Sequence, residues 1–357
     1  MKKLQKLMLA LSLSSGLAQA GPDDVLHIYN WSGSLSDNIV RQFEKRCGCR
    51  VVQDYYGDNE EMLAKLAAGA KGYDMVFPSS FVIQAMTKQK LLQALDHGKI
   101  PNLQNVAPAY RSQAYDPGNR YTVPTVLTLT SVGYNVEKLK QLGVDPGSWS
   151  VIFDPAALRK IKGKVTVLDS SREVFAAALF YLGKDPNRAS EADMRAARDV
   201  IRKAKPYWAA FSNASYLKQL AVGNIWVALG YSSEFFQAGE DARLARRPFH
   251  IGNVPQREGN ELGVDTMAIL AGARRPDLAH QFINFMLDGK NAAQLTNLNG
   301  ATNPVATASP YFRADLKSHP VINPSPEQAK KWTVLRELTP QERRLMARMW
   351  TEVKVSR

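Results

Sequence analysis

Short apolar segments alternate with helical patterns along the chain, and this alternation constrains the fold more than any other feature. Residues 25–30 read as a strand. Ser36 can cap a helix in which Ile39, Val40 and Phe43 recur at helical spacing, and Gly48 stands where that helix should stop. Residues 50–56 read as a second strand, 59–70 as a helix, and 73–77 as a third strand followed by Pro78-Ser79-Ser80 and a helical pattern from Phe81. Such an order predicts an α/β fold, a mostly parallel sheet covered by helices. The pattern restarts with a strand at 164–168, helices from Arg172 and over 190–204, a strand at 225–230 and a helix from Ser233. Two β-rich stretches interrupt it, at 121–135 and 263–270, and the first is long enough to cross between domains. The length of 357 residues fits about two domains.

In open parallel sheets, ligands bind outside the carboxyl ends of the strands. Here those ends carry Trp31-Ser32, Ser79-Ser80, Asp169-Ser170-Ser171 and Tyr231-Ser232, with Glu173 and Glu234 close behind. Hydroxyls and aromatics recur, but the usual catalytic pieces do not. The five histidines are isolated, so no metal-ligand spacing is present. There is no phosphate-cradling glycine loop and no nucleophile elbow. These residues suit a small polar ligand held between two α/β lobes. Helix N-termini at the strand ends favour an anion. Glu173, Glu234, Asp265 and Asp169, with Trp31 and Tyr231, favour a cation through charge-assisted hydrogen bonds and aromatic faces. Asp265 stands out because it interrupts an apolar strand, where an unpaired carboxylate is costly.

The formal charge is +13, from 46 Lys and Arg against 33 Asp and Glu, which by itself suggests an acidic partner such as nucleic acid. The N-terminus redirects that reading. Lys2, Lys3 and Lys6, an apolar stretch over 7–13, and Ala18-Gln19-Ala20 form the three parts of a signal peptide over residues 1–20. Its removal lowers the charge from +13 to +10, and the remaining basic residues are interspersed with acids, as on solvated helix faces. The expectation is an exported protein with no nucleic-acid partner. No cysteine follows the signal, so no lipid anchor is expected there. No run of eighteen apolar residues marks a membrane span. The two cysteines form Cys47-Gly48-Cys49. An oxidising compartment allows a disulfide there, although it closes a small, strained ring with little loop-entropy gain; two packed thiols are expected ahead of a redox motif.

Leu26-His27-Ile28-Tyr29-Asn30-Trp31-Ser32 resembles the opening strand and loop of periplasmic polyamine-binding proteins, the receptors of ABC importers for putrescine and spermidine. The resemblance continues through Tyr73-Asp74-Met75-Val76-Phe77-Pro78-Ser79-Ser80 and Val167-Leu168-Asp169-Ser170-Ser171-Arg172-Glu173, and runs to Trp350. The segments 181–187 and 230–237 look most like the putrescine branch. It implies a class II periplasmic binding-protein fold, two α/β lobes joined by two crossover strands near 125–131 and 263–270. Residues 21–130 and 264–305 would form the first lobe, and 131–263 and 306–357 the second.

Carried over residue by residue, the resemblance implies ligand-binding roles for Trp31, Ser32, Ser79, Glu173, Tyr231, Glu234 and Asp265. Tyr231 stands where the family has tryptophan, and Glu234 where the putrescine branch has aspartate. Ser34, Gly263 and Gly300 replace three family aromatics, which implies a larger cage with fewer aromatic walls. The expected role is a monomeric periplasmic receptor that closes on putrescine- or spermidine-like cations and docks on an inner-membrane ABC permease, without cofactor or catalysis. A receptor for another amine, an amino acid, or an anionic or zwitterionic solute is the alternative on the same fold. An enzyme would need a nucleophile–base pair or metal cluster that the sequence does not display.

Overall fold

The computed structural model describes residues 24–356, so the expected signal peptide lies outside the described residues. Ten strands form one sheet: β1 (Val25–Trp31), β2 (Arg50–Tyr56), β3 (Met75–Val76), β4 (Thr122–Asn135), β5 (Val165–Val167), β6 (Ala210–Phe211), β7 (Val227–Tyr231), β8 (Ile251–Val254), β9 (Asn260–Ile269) and β10 (Trp332–Thr333). Their order is β2-β1-β3-β9-β4-β7-β5-β6, with β10 beside β9 and β8 beside β4. The longer helices used below are α1 (Asp37–Cys47), α2 (Asn59–Ala67), α3 (Ser171–Tyr181), α4 (Glu191–Ala204), α5 (Tyr216–Val222), α6 (Ser232–Leu244), α7 (Pro276–Met286), α8 (Gly289–Asn299) and α9 (Pro340–Val355). Among the described residues, no helix is long and apolar enough to cross a membrane.

The parallel pairs β1/β2 and β1/β3 lie at one end of the sheet and β5/β7 and β5/β6 at the other. Between them run β4 and β9, antiparallel to each other and to their outer neighbours. These are the two crossover strands. Each parallel end has its own core. The first gathers Leu26, Ile28, Ile39, Phe43, Met75, Phe282 and Ile283, and the second gathers Trp149, Phe153, Val167, Phe175, Leu229 and Phe235. A further small core, with Leu127, Leu129, Leu262, Val264, Val321 and Trp332, backs the crossover strands. The architecture is a two-lobed α/β fold.

Three details depart from the sequence reading. Residues 306–357 were expected with the second lobe, but Ala308, Phe312, Leu316 and Ile322 pack in the first core. Only from Leu335 onward, with Met346, Met349 and Val353, does the tail join the second. The chain therefore crosses a third time, along β10, which pairs with β9. Cys47 and Cys49, for which the sequence leaves a disulfide open beside the expected packed thiols, are joined by a disulfide. Gly48 caps α1 in the left-handed conformation at φ 65°, and this turns the chain back and brings the cysteine Cα atoms to 5.2 Å, inside the usual disulfide range. Finally, Ser80–Val82 forms a tight 3₁₀ turn before the helical residues Ile83–Lys88, instead of one helix from Phe81.

Candidate functional site

The first lobe contributes an aromatic corner. Trp31 ends β1, and its indole Nε1 donates to the Phe77 carbonyl at 2.8 Å. Tyr56 ends β2, and its hydroxyl donates to the same carbonyl at 2.6 Å. One backbone oxygen thereby orients both rings, which meet edge-on with centroids 4.5 Å apart. Burial, reinforced by the Asp265 charge, pushes the Tyr56 phenol far above its ordinary pKa, so it stays a neutral donor. Ser32 lies exposed in the turn after β1.

Ser79 and Asp265 form the next layer. Thr266 on β9 holds the Pro78 carbonyl with both its N–H and its hydroxyl, at 2.9 and 2.8 Å. That clamp fixes the loop so that the Ser79 Oγ donates to Asp265 Oδ1 at 2.7 Å. Asn59, the first residue of α2, completes the chain: its Oδ1 accepts from the Ser79 N–H at 3.1 Å, and its Nδ2 reaches Ser79 Oγ at 3.2 Å. Withdrawal from water raises the Asp265 pKa to about 6, against the lowering effect of Ser79.

The second lobe holds the other carboxylates. Glu173 sits in the first turn of α3, where Ser170 donates to its Oε2 and the Tyr231 hydroxyl donates to its Oε1 at 3.1 Å. Tyr231 ends β7, and its phenol is pushed far up by burial and by Glu173. Glu234 follows on α6. It is held by the buried Tyr216 hydroxyl, and burial raises its pKa to about 7. The start of α6 is pinned to β4 because the Leu129 N–H donates to Ser232 Oγ at 3.1 Å.

The sheet register joins the two halves. Val126 pairs with Asp265 and Thr130 with Tyr231. Directly opposed residues project from one face, and positions 126 and 130 share a face. Asp265 and Tyr231 therefore line the same side of the crossover strands. Trp31, Ser79 and Asp265 come together with Tyr56 and Asn59, while Glu173 comes together with Tyr231. Glu234 has a separate brace in Tyr216. Asp169 is exposed and paired with Lys354 at 2.8 Å, so it is not part of this group. Tyr56, Asn59 and Tyr216 escaped the sequence reading because each sits in an ordinary strand or helix pattern.

Of the three positions where the resemblance implies an aromatic, Gly300 has another ring beside it. Gly300 caps α8 at φ 66°, and a Cβ built there would lie 2.2 Å from Phe236 Cγ. Phe236, on α6 of the second lobe, thus occupies the space beside Gly300 and packs on the first core. Arg313 lies 5.5 Å from the centre of the Phe236 ring and 3.8 Å from Glu240 on the same helix. Ser34 donates to the Trp31 carbonyl at 3.0 Å and shapes the turn instead of adding a ring. A separate cavity of about 190 Å³ lies between α3, α4 and α9, with Arg172, Arg336 and Glu342 on its wall. None of the sequence-predicted site residues lines it.

The profile of a family described as bacterial extracellular solute-binding protein matches residues 38–322. The chain is 44% identical over 352 residues to the putrescine/cadaverine-binding protein of Pseudomonas aeruginosa, covering 99% of both chains. It is 33% identical to the putrescine-binding periplasmic protein PotF of Escherichia coli, over 94% of this chain and 92% of that one. Among solved structures it is similar to the TpPotD lipoprotein of Treponema pallidum, at 30% identity and a TM-score of 0.78 over 92% and 99% of the two chains. The fold also matches a spermidine/putrescine substrate-binding protein of Streptococcus pneumoniae, with a TM-score of 0.86 at 24% identity over 94% and 99%.

Proposed function

Because the chain belongs to the bacterial extracellular solute-binding protein family, we propose that it is a periplasmic receptor for polyamine-like cations that serves an ABC importer. The observation that carries the reading is Asp265, a half-buried carboxylate on a crossover strand beside an oriented pair of aromatic rings. A half-buried carboxylate whose side-chain donor among the described residues is a serine is poised for an ammonium group, which supplies both the missing charge and further hydrogen bonds. Trp31 and Tyr56 add cation–aromatic attraction, about 0.5–2 kcal/mol per ring depending on desolvation. Glu173, oriented by Tyr231 and Ser170, offers a second acceptor from the opposite lobe. The relatives named for putrescine and cadaverine support the same ligand class.

In this account the lobes open and close about β4, β9 and the third crossing. Trp31, Ser32 and Ser79 approach the ligand from the first lobe, and Glu173, Tyr231 and Glu234 from the second. A ligand touching both lobes favours the closed form by its differential contacts. That form, acting as a monomer, would dock on the inner-membrane permease. Titration calorimetry on the variants tests the assignment. Asp265→Ala is expected to weaken putrescine or cadaverine binding by about 2–5 kcal/mol, at least thirtyfold or so in Kd. Glu173→Gln should weaken it less. If Glu173→Gln leaves binding unchanged or tighter, the ligand is an anion or zwitterion and the cation assignment is wrong.

A further inference from the structure

Four residues before Asp265, β9 carries Glu261, a carboxylate that neither the strand-end rule nor the family resemblance singles out. The register places it. Thr130 on β4 pairs with Tyr231 on one side and Glu261 on the other, Thr128 pairs with Gly263, and Val126 with Asp265. These residues share the face that Asp265 and Tyr231 line, whereas the alternating Leu127, Leu129, Leu262 and Val264 are buried in the core behind. Glu261 lies about 13 Å along the strand from Asp265 and about 10 Å across the sheet from Tyr231. Gly263, midway between the two carboxylates, is exposed and leaves bare backbone where a side chain would stand.

The surroundings of Glu261 leave its charge largely unanswered. Its Oε2 accepts from Thr130 Oγ1 at 3.3 Å. Arg172 is close enough to act on it electrostatically, but the guanidinium donates to the Arg336 carbonyl, and among the described residues no ion pair joins Arg172 to Glu261 or Glu173. We propose that Glu261 is a further ligand carboxylate of the cleft, so that a linear triamine is held with one ammonium at Asp265, its methylenes over Gly263, and another ammonium between Glu261 and Glu173. The assignment rests on the cation-receptor reading above and deepens it by naming a further carboxylate that selects a longer amine. Electrostatics agrees: burial and the Glu173 charge raise the Glu261 pKa well above the carboxylate range, with Arg172 and Thr130 opposing. An ammonium arriving between the two carboxylates relieves that repulsion and displaces a proton.

The test titrates ligand-free wild type and Glu261→Gln with putrescine and with spermidine, in buffers of different ionisation enthalpy. The expected result is a loss of about tenfold or more in spermidine affinity with putrescine affinity within twofold, and a smaller proton release for spermidine in the variant. Spermidine affinity unchanged in Glu261→Gln overturns the assignment. So does an equal fall for both amines with a lowered melting temperature, which marks a structural role. Wild type that binds putrescine but not spermidine removes this inference and leaves the receptor reading standing; wild type that binds neither removes both.

Discussion

Asp265 is fixed by Ser79, which is itself fixed by Asn59, so its geometry is settled before any ligand arrives. The cost of that preorganisation is readable in pH. Asp265 titrates near 6 and Glu234 near 7 in the folded chain, against about 4 for such carboxylates in an unfolded one. Between those values the native state holds more protons than the unfolded state, so stability falls as pH rises through this window. Ligand-free protein is therefore expected to melt about 2 °C or more higher at pH 5.5 than at pH 7.5. Half-buried His319, whose charged form is disfavoured by desolvation, pulls the other way. Thermal melts of wild type, Asp265→Asn and His319→Gln check this: the first substitution should flatten the trend and the second sharpen it. Asp265 was legible in the sequence because a carboxylate inside an apolar strand demands an explanation. Glu261 was not, because its value depends on which face of β9 meets the cleft, and only pairing with β4 decides that.

At the scale of elements, α6 touches both lobes. Phe235 packs in the second core, while Phe236, one residue and about 100° further round the helix, lies on the first beside Gly300. Glu234 and the inter-lobe contact thus share one rigid segment. Gly300→Ala would meet Phe236 at 2.2 Å and also require a left-handed alanine. The expected cost is about 1–3 kcal/mol of the lobe contact, seen as several-fold weaker ligand binding that Phe236→Ala partly restores. No loss of affinity in Gly300→Ala would show that this contact does not contribute to closure. Capped helices were the easiest elements to read: Ser36 and Gly48 bound α1 and Ser190 starts α4, as their chemistry dictates. β6, β8 and β10 were missed. They are only two to four residues long, and each exists because a distant strand offers an edge.

Over the whole molecule, charge and shape separate. Basic residues of the tail are engaged in surface pairs such as Arg336–Glu342 and Arg343–Glu337, and the tail's Glu352 pairs with Arg198 of α4. The cleft instead concentrates Glu173, Glu261 and Asp265 on or beside the crossover strands. Low-dielectric walls make such local charge count for more than a screened net charge of +13. A basic chain can therefore attract a cation to one acidic groove. The two-lobed plan was legible from the strand–helix alternation, but the third crossing was not, since residues 306–322 carry no marked strand or helix pattern and find their place by packing Phe312 and Leu316 on the first core. Whether this cleft binds a polyamine cation is decided by calorimetric titration of ligand-free protein with putrescine, cadaverine and spermidine, alongside glutamate and γ-aminobutyrate. Saturable one-site binding of at least one polyamine at micromolar Kd or tighter is expected, with none of the anionic and zwitterionic solutes. Binding of those solutes with no polyamine response would overturn the cation reading.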